Sequence, residues 1–378
     1  MLKNFKRLIG LALVLVLSVI VTFPTFAEIS KDSIDKQVET SQIYSFIQSN
    51  YEIDSTCSWT KDTKADEAIP TFDLENNVIG YIFNLFTNGN PTGYIVYDTS
   101  TENPIVIEFG YNGVYSIQGQ EVTKNNNLGR LKLIPIGMED YLLQIGDDLY
   151  TIDEKAKVTD QKNEYKLAIK EREDAIAKYI EELKKVGLNQ TIYKSVSVPN
   201  LWKSGYQPVT MQMYGNKGCT VVFGVNLLKY WSVCRGIPSL YNSYDATKLE
   251  QTYSRLYSSM KTDSEGNTTF LNGYNGIVSY CSTYACTKPK GSDYRDGLNW
   301  DWYKTQISNG NFMCVNAEVK HYQNDGRPGN HSFSGVGYQE TSDGNFMRVG
   351  DQWTTDYSHF YNVSAYSGSI KNIWYYRW

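Results

Sequence analysis

An apolar segment in the middle of the chain, residues 221–233, is the feature that most constrains the fold. It is longer than the roughly four to eight residues of an ordinary strand, so it predicts a helix that is buried on most of its faces. Only four residues interrupt the apolar run, namely Gly224, Asn226, Lys229 and Ser232. A short Gly/Asn-containing stretch, 215–218, leads into Cys219 just before it. The pattern therefore predicts a thiol at the first turn of a core helix.

The beginning of a helix changes the chemistry of a thiol. The N-terminal end of a helix carries a partial positive charge, which lowers the pKa of a cysteine there and favours the nucleophilic thiolate. A lone cysteine is also often a buried structural residue. The segment around Cys219 leaves both interpretations open.

Histidines are scarce, and only three are available for acid–base chemistry: His321, His331 and His359. His331 stands at the entry to a predicted strand of small residues, in which Gly335 and Gly337 would let another element pack closely. His321 lacks such a strand entry, and His359 lies in a Ser/Tyr-rich turn. We therefore expect His321 and His359 to be structural or surface residues, and we expect neither a metal site nor a cofactor.

A third motif follows the histidine. Residues 347–353 predict a strand that ends in Asp351-Gln352-Trp353. The Asp351 carboxylate could accept a hydrogen bond from the imidazole of His331, fix its tautomer and stabilise the imidazolium. Taken singly, a surface histidine beside a turn and a turn-forming aspartate are the favoured interpretations of these two residues.

The order Cys219, His331, Asp351 resembles the papain-like cysteine peptidases, in particular bacterial members related to the peptidase domains that process bacteriocin leaders. Further motifs of that group stand in the same order over residues 196–378. They are Tyr230-Trp231 at the end of the helix, His331-Ser332, Val336-Gly337-Tyr338, and the spaced residues Trp300, Tyr303, Lys304, Ile307 and Gly310. The Val221-Val222 pair departs from the Pro-Thr that is common in the group.

The resemblance implies a peptidase that hydrolyses peptide bonds of a peptide or protein substrate through an acyl-enzyme on Cys219. His331 would be the acid–base residue and Asp351 would orient it. The family uses a glutamine upstream of the cysteine to bind the oxyanion, which implies Gln212, with Gln207 as the second candidate. A catalytically inactive papain-fold binding module and a cell-wall amidase remain the alternative functions.

The N-terminus predicts export. Basic residues precede an apolar run over residues 8–21, and Ala27 offers a small residue for cleavage. The run is shorter than the roughly 20 residues needed to span a bilayer, so it predicts a signal peptide over 1–27 rather than a stable membrane anchor. We expect a secreted, extracellular protein of a Gram-positive-type bacterium.

The remaining sequence predicts an α+β fold in three parts. Residues 28–153 begin with a helical pattern and continue with short β-rich runs, which predict a smaller N-terminal domain of antiparallel sheet plus helix. Its runs at 93–96 and 104–106 resemble the propeptide of the streptopain group, which implies an intramolecular pro-domain and a zymogen; a binding or spacer domain is the alternative. Residues 154–195 predict a charged helix and linker, and 196–378 a papain-like catalytic domain with a helical part and an antiparallel sheet.

Composition excludes several other classes. A formal net charge of −5 argues against a general nucleic-acid-binding protein. The six cysteines contain no CxxC pair, which argues against a zinc ribbon, and they are too few for a disulfide scaffold in a chain of 378 residues. Cys281 and Cys286 are close enough in sequence to form a disulfide across a turn, but buried free thiols are the favoured interpretation of this pair.

Overall fold

A single long sheet organises the chain in the computed structural model. The structure describes residues 38–152, 156–186, 194–241, 246–322 and 328–378. The predicted signal peptide over 1–27 lies outside these residues. The described residues form one compact unit with a mixed α+β fold, which confirms the predicted fold class at that level.

Seven helices lie within the described ranges. They are α1 (Thr40–Ile53), α2 (Lys162–Val186), α3 (Cys219–Lys229), α4 (Ala246–Ser259), α5 (Phe270–Tyr280), α6 (Trp300–Ser308) and the single turn α7 (Val363–Tyr366). None of them is long and apolar enough to cross a membrane.

The strands of the N-terminal part are β1 (Thr63–Ala65), β2 (Ile69–Phe72), β3 (Val78–Thr87), β4 (Asn90–Asp98), β5 (Ile105–Gly110), β6 (Ser116–Ile117), β7 (Gln120–Glu121), β8 (Lys132–Gly137), β9 (Asp140–Ile145) and β10 (Asp148–Thr151). Those of the C-terminal part are β11 (Lys194–Ser197), β12 (Gly291–Asp296), β13 (Met313–Tyr322), β14 (Pro328–Thr341), β15 (Gly344–Gly350), β16 (His359–Asn362) and β17 (Ile370–Arg377).

Fifteen of these strands form one sheet, thirteen of them in the order β10-β9-β8-β2-β3-β4-β5-β16-β15-β14-β13-β17-β12. The other two are β1, which pairs with β3, and β11, which pairs with β14, whereas β6 and β7 form a separate hairpin. Neighbouring strands are antiparallel except for the parallel pair β2 and β8. The antiparallel arrangement predicted for the N-terminal part is therefore present, with one parallel exception.

The two parts of the chain meet inside this sheet. Strand β16 pairs with β15 on one side and with β5 on the other, so that Phe360 lies opposite Phe109 and Tyr361 opposite Glu108. The rings of Phe109 and Phe360 stack with centroids 4.4 Å apart. The sheet thus runs continuously from the predicted N-terminal domain into the predicted catalytic domain, and the proposed boundary at 154–195 stays a prediction.

Helix α3 is the buried helix that the apolar segment predicts. All residues from Thr220 to Leu228 are buried, and the helix packs against β14, α4 and α5. The approach is close at Gly224, where a Cβ atom would lie 2.9 Å from Met260 Cε. The helix is consequently held in place from several directions, which fixes the position of its first residue.

Helix α2 is the long charged helix expected between the two parts. It packs one face against β8 and α7 rather than facing solvent on all sides. On that face Arg172 donates a hydrogen bond to the Asp98 carboxylate at 2.6 Å, and both side chains are almost fully buried. Leu167, on the opposite face, is 65% exposed. The helix is therefore a brace across the N-terminal part of the sheet.

Candidate active site

Cys219 is the first residue of α3, as the sequence predicts. Gly218 precedes it in the left-handed region with φ 74°, where a residue other than glycine is disfavoured. A Cβ atom at Gly218 would also lie 2.7 Å from the hydroxyl of Tyr253. The glycine thus allows the chain to turn sharply into the helix and to present the thiol at its N-terminal end.

The structure brings Cys219 and His331 together. Burial alone would raise the pKa of the Cys219 thiol, but a hydrogen bond with the His331 side chain and its charge outweigh burial and lower the pKa to about 7. Burial likewise raises the pKa of Cys57 and of Cys281, to about 12 in each case, and there nothing outweighs it. All six cysteines are free thiols. Among the cysteines whose pKa departs from its ordinary value, Cys219 is the one whose pKa is lowered.

His331 lies in β14, opposite Ala317 of β13, and is 7% exposed. Its Nε2 is 2.6 Å from the backbone oxygen of Asp351. Because a carbonyl only accepts, Nε2 carries a proton, and Nδ1 is the nitrogen left for Cys219. Burial lowers the pKa of His331, but the bonds and charges of Cys219 and Asp351 raise it overall above its ordinary value.

Two aromatic rings enclose the imidazole. Trp353 stacks on His331 with ring centroids 5.8 Å apart and 14° between planes, and Phe333 meets it edge-on at 4.6 Å. Rings at these positions shield the hydrogen bond between His331 and Asp351 from water, which strengthens its electrostatic interaction.

The predicted contact between the Asp351 carboxylate and His331 is wrong, since the backbone oxygen of Asp351 takes that place. The carboxylate instead accepts hydrogen bonds from the backbone N–H groups of Trp353 and Thr354 at 2.9 and 3.0 Å. Its other oxygen lies 3.6 Å from Nε2 of His359. The physical reason is that an aspartate at the start of a turn readily binds the backbone N–H groups two and three residues ahead.

Gln212 lies in the 3-10 turn Met211–Tyr214 and is exposed. Its Nε2 reaches towards Gly119, where a Cβ atom would lie 2.9 Å from it and 3.7 Å from the Cβ of Trp353. Gln212 is thus next to the ring that stacks on His331. Gln207 lies elsewhere, since its backbone oxygen accepts from Lys229 Nζ at 2.6 Å, at the far end of α3. Ten residues of helix separate that end from Cys219 by about 15 Å.

Gly119 belongs to a tight turn that lies next to the site, although nothing in the sequence connects the two. The hairpin β6–β7 turns at Gln118 and Gly119, which both adopt the left-handed region with φ 51° and 75°. The turn places a segment of the N-terminal part directly against Gln212 and Trp353. No sequence signal pairs these segments, because the turn residues are typical of any hairpin.

The other two histidines differ in how far the structure describes them. His359 begins β16 and is buried, so it is a structural residue: its Nδ1 is 2.9 Å from the hydroxyl of Tyr94. The side chain of His321 lies outside the described residues. Within the part of the chain that the structure describes, no group of three or more His, Cys, Asp or Glu side chains could hold a metal ion.

No model of a known protein family matches the sequence, and no curated protein matches it significantly.

Proposed function

We propose that this chain is a secreted cysteine peptidase of the papain-like type, with Cys219 as the nucleophile and His331 as the acid–base residue. The observation that carries the proposal is the pairing of the two side chains. Cys219 has its pKa lowered to about 7 by His331, and His331 is held from its other nitrogen by Asp351. A helix N-terminus, a thiol, an imidazole and an orienting acceptor are the parts that acyl transfer through a thiolate requires.

The arrangement supports a two-step hydrolysis. The Cys219 thiolate attacks the carbonyl carbon, and the electron pair of the C=O double bond moves to oxygen. The backbone N–H of Cys219 and the amide of Gln212 would donate to that oxygen. When the tetrahedral intermediate collapses, the C–N bond breaks and the imidazolium proton of His331 passes to the leaving amine. Water then attacks the thioester, its proton passes to His331, and the acid and the thiolate are released.

We further propose that the N-terminal part is a pro-domain that restricts access to the site. The support is the β6–β7 turn, which packs Gly119 against Gln212, the oxyanion candidate, and Trp353, whose ring stacks on His331. Because β5 also pairs with β16, this part is joined to the catalytic part by main-chain hydrogen bonds as well. Activation would therefore have to separate paired strands and not just cut a linker.

The test compares the chain carrying Cys219 with Cys219→Ala and with His331→Ala, over residues 28–378. We expect the unmodified chain to cleave itself and to hydrolyse casein, and both variants to do neither. Cys286→Ala is the matched control, because Cys286 is an exposed thiol away from the site and its loss should leave activity unchanged. Full casein hydrolysis by Cys219→Ala would contradict the proposal.

Alkylation separates an enzyme from a binding module of the same fold. Iodoacetamide near pH 7 should modify Cys219 much faster than the other five thiols, because only a thiolate reacts. Replacing His331 with alanine should remove that advantage. Uniformly slow labelling would favour the inactive binding module, whereas fast labelling without casein hydrolysis but with cleavage of peptidoglycan stem peptides would favour the amidase.

A further inference from the structure

Gln352 stands between Asp351 and Trp353 in an unusual backbone conformation. Its φ is 67°, in the left-handed region that residues other than Gly, Asn and Asp rarely adopt. The residue is 2% exposed. Backbone strain at a buried position persists only where the surroundings hold it, and such positions cluster at functional sites.

Gln352 makes hydrogen bonds with two separate segments of the site. Its backbone oxygen accepts from the N–H of Met211 at 2.8 Å, directly before Gln212. Its side-chain Nε2 donates to the backbone oxygen of Ser332 at 2.5 Å, directly after His331. One residue thus joins the turn that carries the oxyanion candidate to the strand that carries the acid–base candidate.

The left-handed conformation of Gln352 sets the direction of its own carbonyl relative to that of Asp351. The Asp351 oxygen points to His331, whereas the next oxygen, that of Gln352, points to Met211. The side-chain amide of Gln352 makes the second connection, to Ser332.

The side-chain amide of Gln352 makes its hydrogen bond through its nitrogen, not through its oxygen. Among the described residues, Gln352 Oε1 is buried and has no hydrogen-bond partner. A buried acceptor without a partner is unfavourable. What favours a glutamine at this position is therefore the hydrogen bond that its amide nitrogen donates. The hydroxyl of Ser332, the residue that it binds, contacts Thr220 of α3 at 2.8 Å, one residue after Cys219.

We infer that Gln352 is a positioning residue: it fixes the Gln212 turn and the His331 strand relative to the start of α3. The inference rests on the proposed peptidase function. Gln352 itself touches neither the nucleophile nor a reacting atom. A shift of about 1 Å in either segment would misplace the oxyanion donor or the base, at a cost of roughly 10- to 100-fold in rate.

Three variants of the full chain separate the side chain from the backbone. Gln352→Met keeps the volume and loses the donor. Gln352→Gly adopts the left-handed conformation without strain and loses the amide donor. Gln352→Asn also adopts this conformation readily and keeps an amide donor on a shorter side chain. Gln339→Met is the matched control. Gln339 is also a buried glutamine, in the same strand β14 as His331; its Nε2 donates to Asn50, and its Oε1 has no hydrogen-bond partner in the part of the chain that the structure describes. It lies eight residues from His331, about 26 Å along an extended strand.

The readouts are kcat and KM on a peptide substrate, the melting temperature, and the pH profile of Cys219 alkylation by iodoacetamide. We expect Gln352→Met and Gln352→Gly to lower kcat roughly 10- to 100-fold with KM within about twofold. Gln352→Gly should melt no lower than Gln352→Met, and Gln352→Asn should recover part of kcat. Gln339→Met should lower the melting temperature and leave kcat unchanged.

Three results would overturn the inference, two of them from kcat and one from alkylation. One is a kcat within twofold of the unmodified chain in both donor-less variants. Another is a loss of kcat that Gln339→Met shares in proportion to its loss of melting temperature. Because alkylation needs no substrate, an unchanged alkylation profile in Gln352→Met would also count against the inference even if casein were not a substrate. Absence of rapid Cys219 alkylation in the unmodified chain would instead refute the proposed function.

Discussion

Replacing Glu108 with glutamine should flatten the dependence of stability on pH. Glu108 lies in β5 opposite Tyr361 and is 1% exposed. It accepts hydrogen bonds from the hydroxyls of Tyr94 at 2.8 Å and of Tyr115 at 3.4 Å. Burial raises its pKa from 4.5 to about 7, against the effect of those hydroxyls.

The direction of the pH effect follows from where the proton is bound. Between pH 4.5 and 7 the folded chain keeps the Glu108 proton while the unfolded chain has lost it, so the folded state binds more protons. The free energy of unfolding therefore falls as the pH rises through this window. A folded pKa of about 7 against an ordinary 4.5 corresponds to about 3 kcal/mol, fully present below pH 4.5 and lost above pH 7. Glu139 and His359 nearby also have raised pKa values and act in the same direction.

Urea denaturation at pH 5, 6, 7 and 8 measures the effect, in a Cys219→Ala background that prevents self-cleavage. The background protein should lose about 2.5 kcal/mol more than its Glu108→Gln derivative between pH 5 and pH 8, since part of the effect is already lost at pH 5. The slope that remains in the derivative reports on Glu139 and His359. Glu265→Gln, an exposed carboxyl far from the cluster, is the control and should follow the background protein. Parallel pH profiles of background and Glu108→Gln would refute the argument.

Three further outcomes are expected. Gln212→Ala should lower kcat by about 10²- to 10³-fold, as loss of an oxyanion donor does, while Gln207→Ala should leave it unchanged in the same casein or peptide assay. Asp351→Asn should cost less than about tenfold in kcat, because the backbone oxygen holds His331; a loss near 10⁴-fold would mean that the carboxylate orients the imidazole after all. Arg172→Met should lower the free energy of unfolding by about 3–5 kcal/mol in urea, because it leaves the buried Asp98 charge unpaired, and Asp98→Asn in addition should recover part of the loss.

The parts of the site that depend on local pattern could be predicted from the sequence. The apolar segment and the preceding glycine locate the start of α3 at Cys219, and the Gly-rich strand locates His331. These features follow from helix length, glycine conformation and strand alternation, which neighbouring residues determine.

The parts of the site that depend on a single turn could not be predicted from the sequence. The backbone oxygen of Asp351 meets His331 because the carboxylate binds the N–H groups of Trp353 and Thr354 in the turn that follows. In that turn Gln352 adopts the left-handed region, a conformation that glutamine does not signal in a sequence. The pairing of β5 with β16 could not be predicted either. A strand of four residues has too short a pattern of apolar and polar residues to specify its partner strand.

The position of β16 between β5 and β15 has a consequence for the order in which the chain folds. Tyr94 and His359, which meet across this seam, are 265 residues apart in the chain. Contacts between such distant residues form late, since the loop that they close must first lose its freedom. Because β16 follows both β5 and β15 in the chain, the middle of the sheet cannot close until β16 has been made, and until then β5 and β15 each expose an unpaired edge that can aggregate.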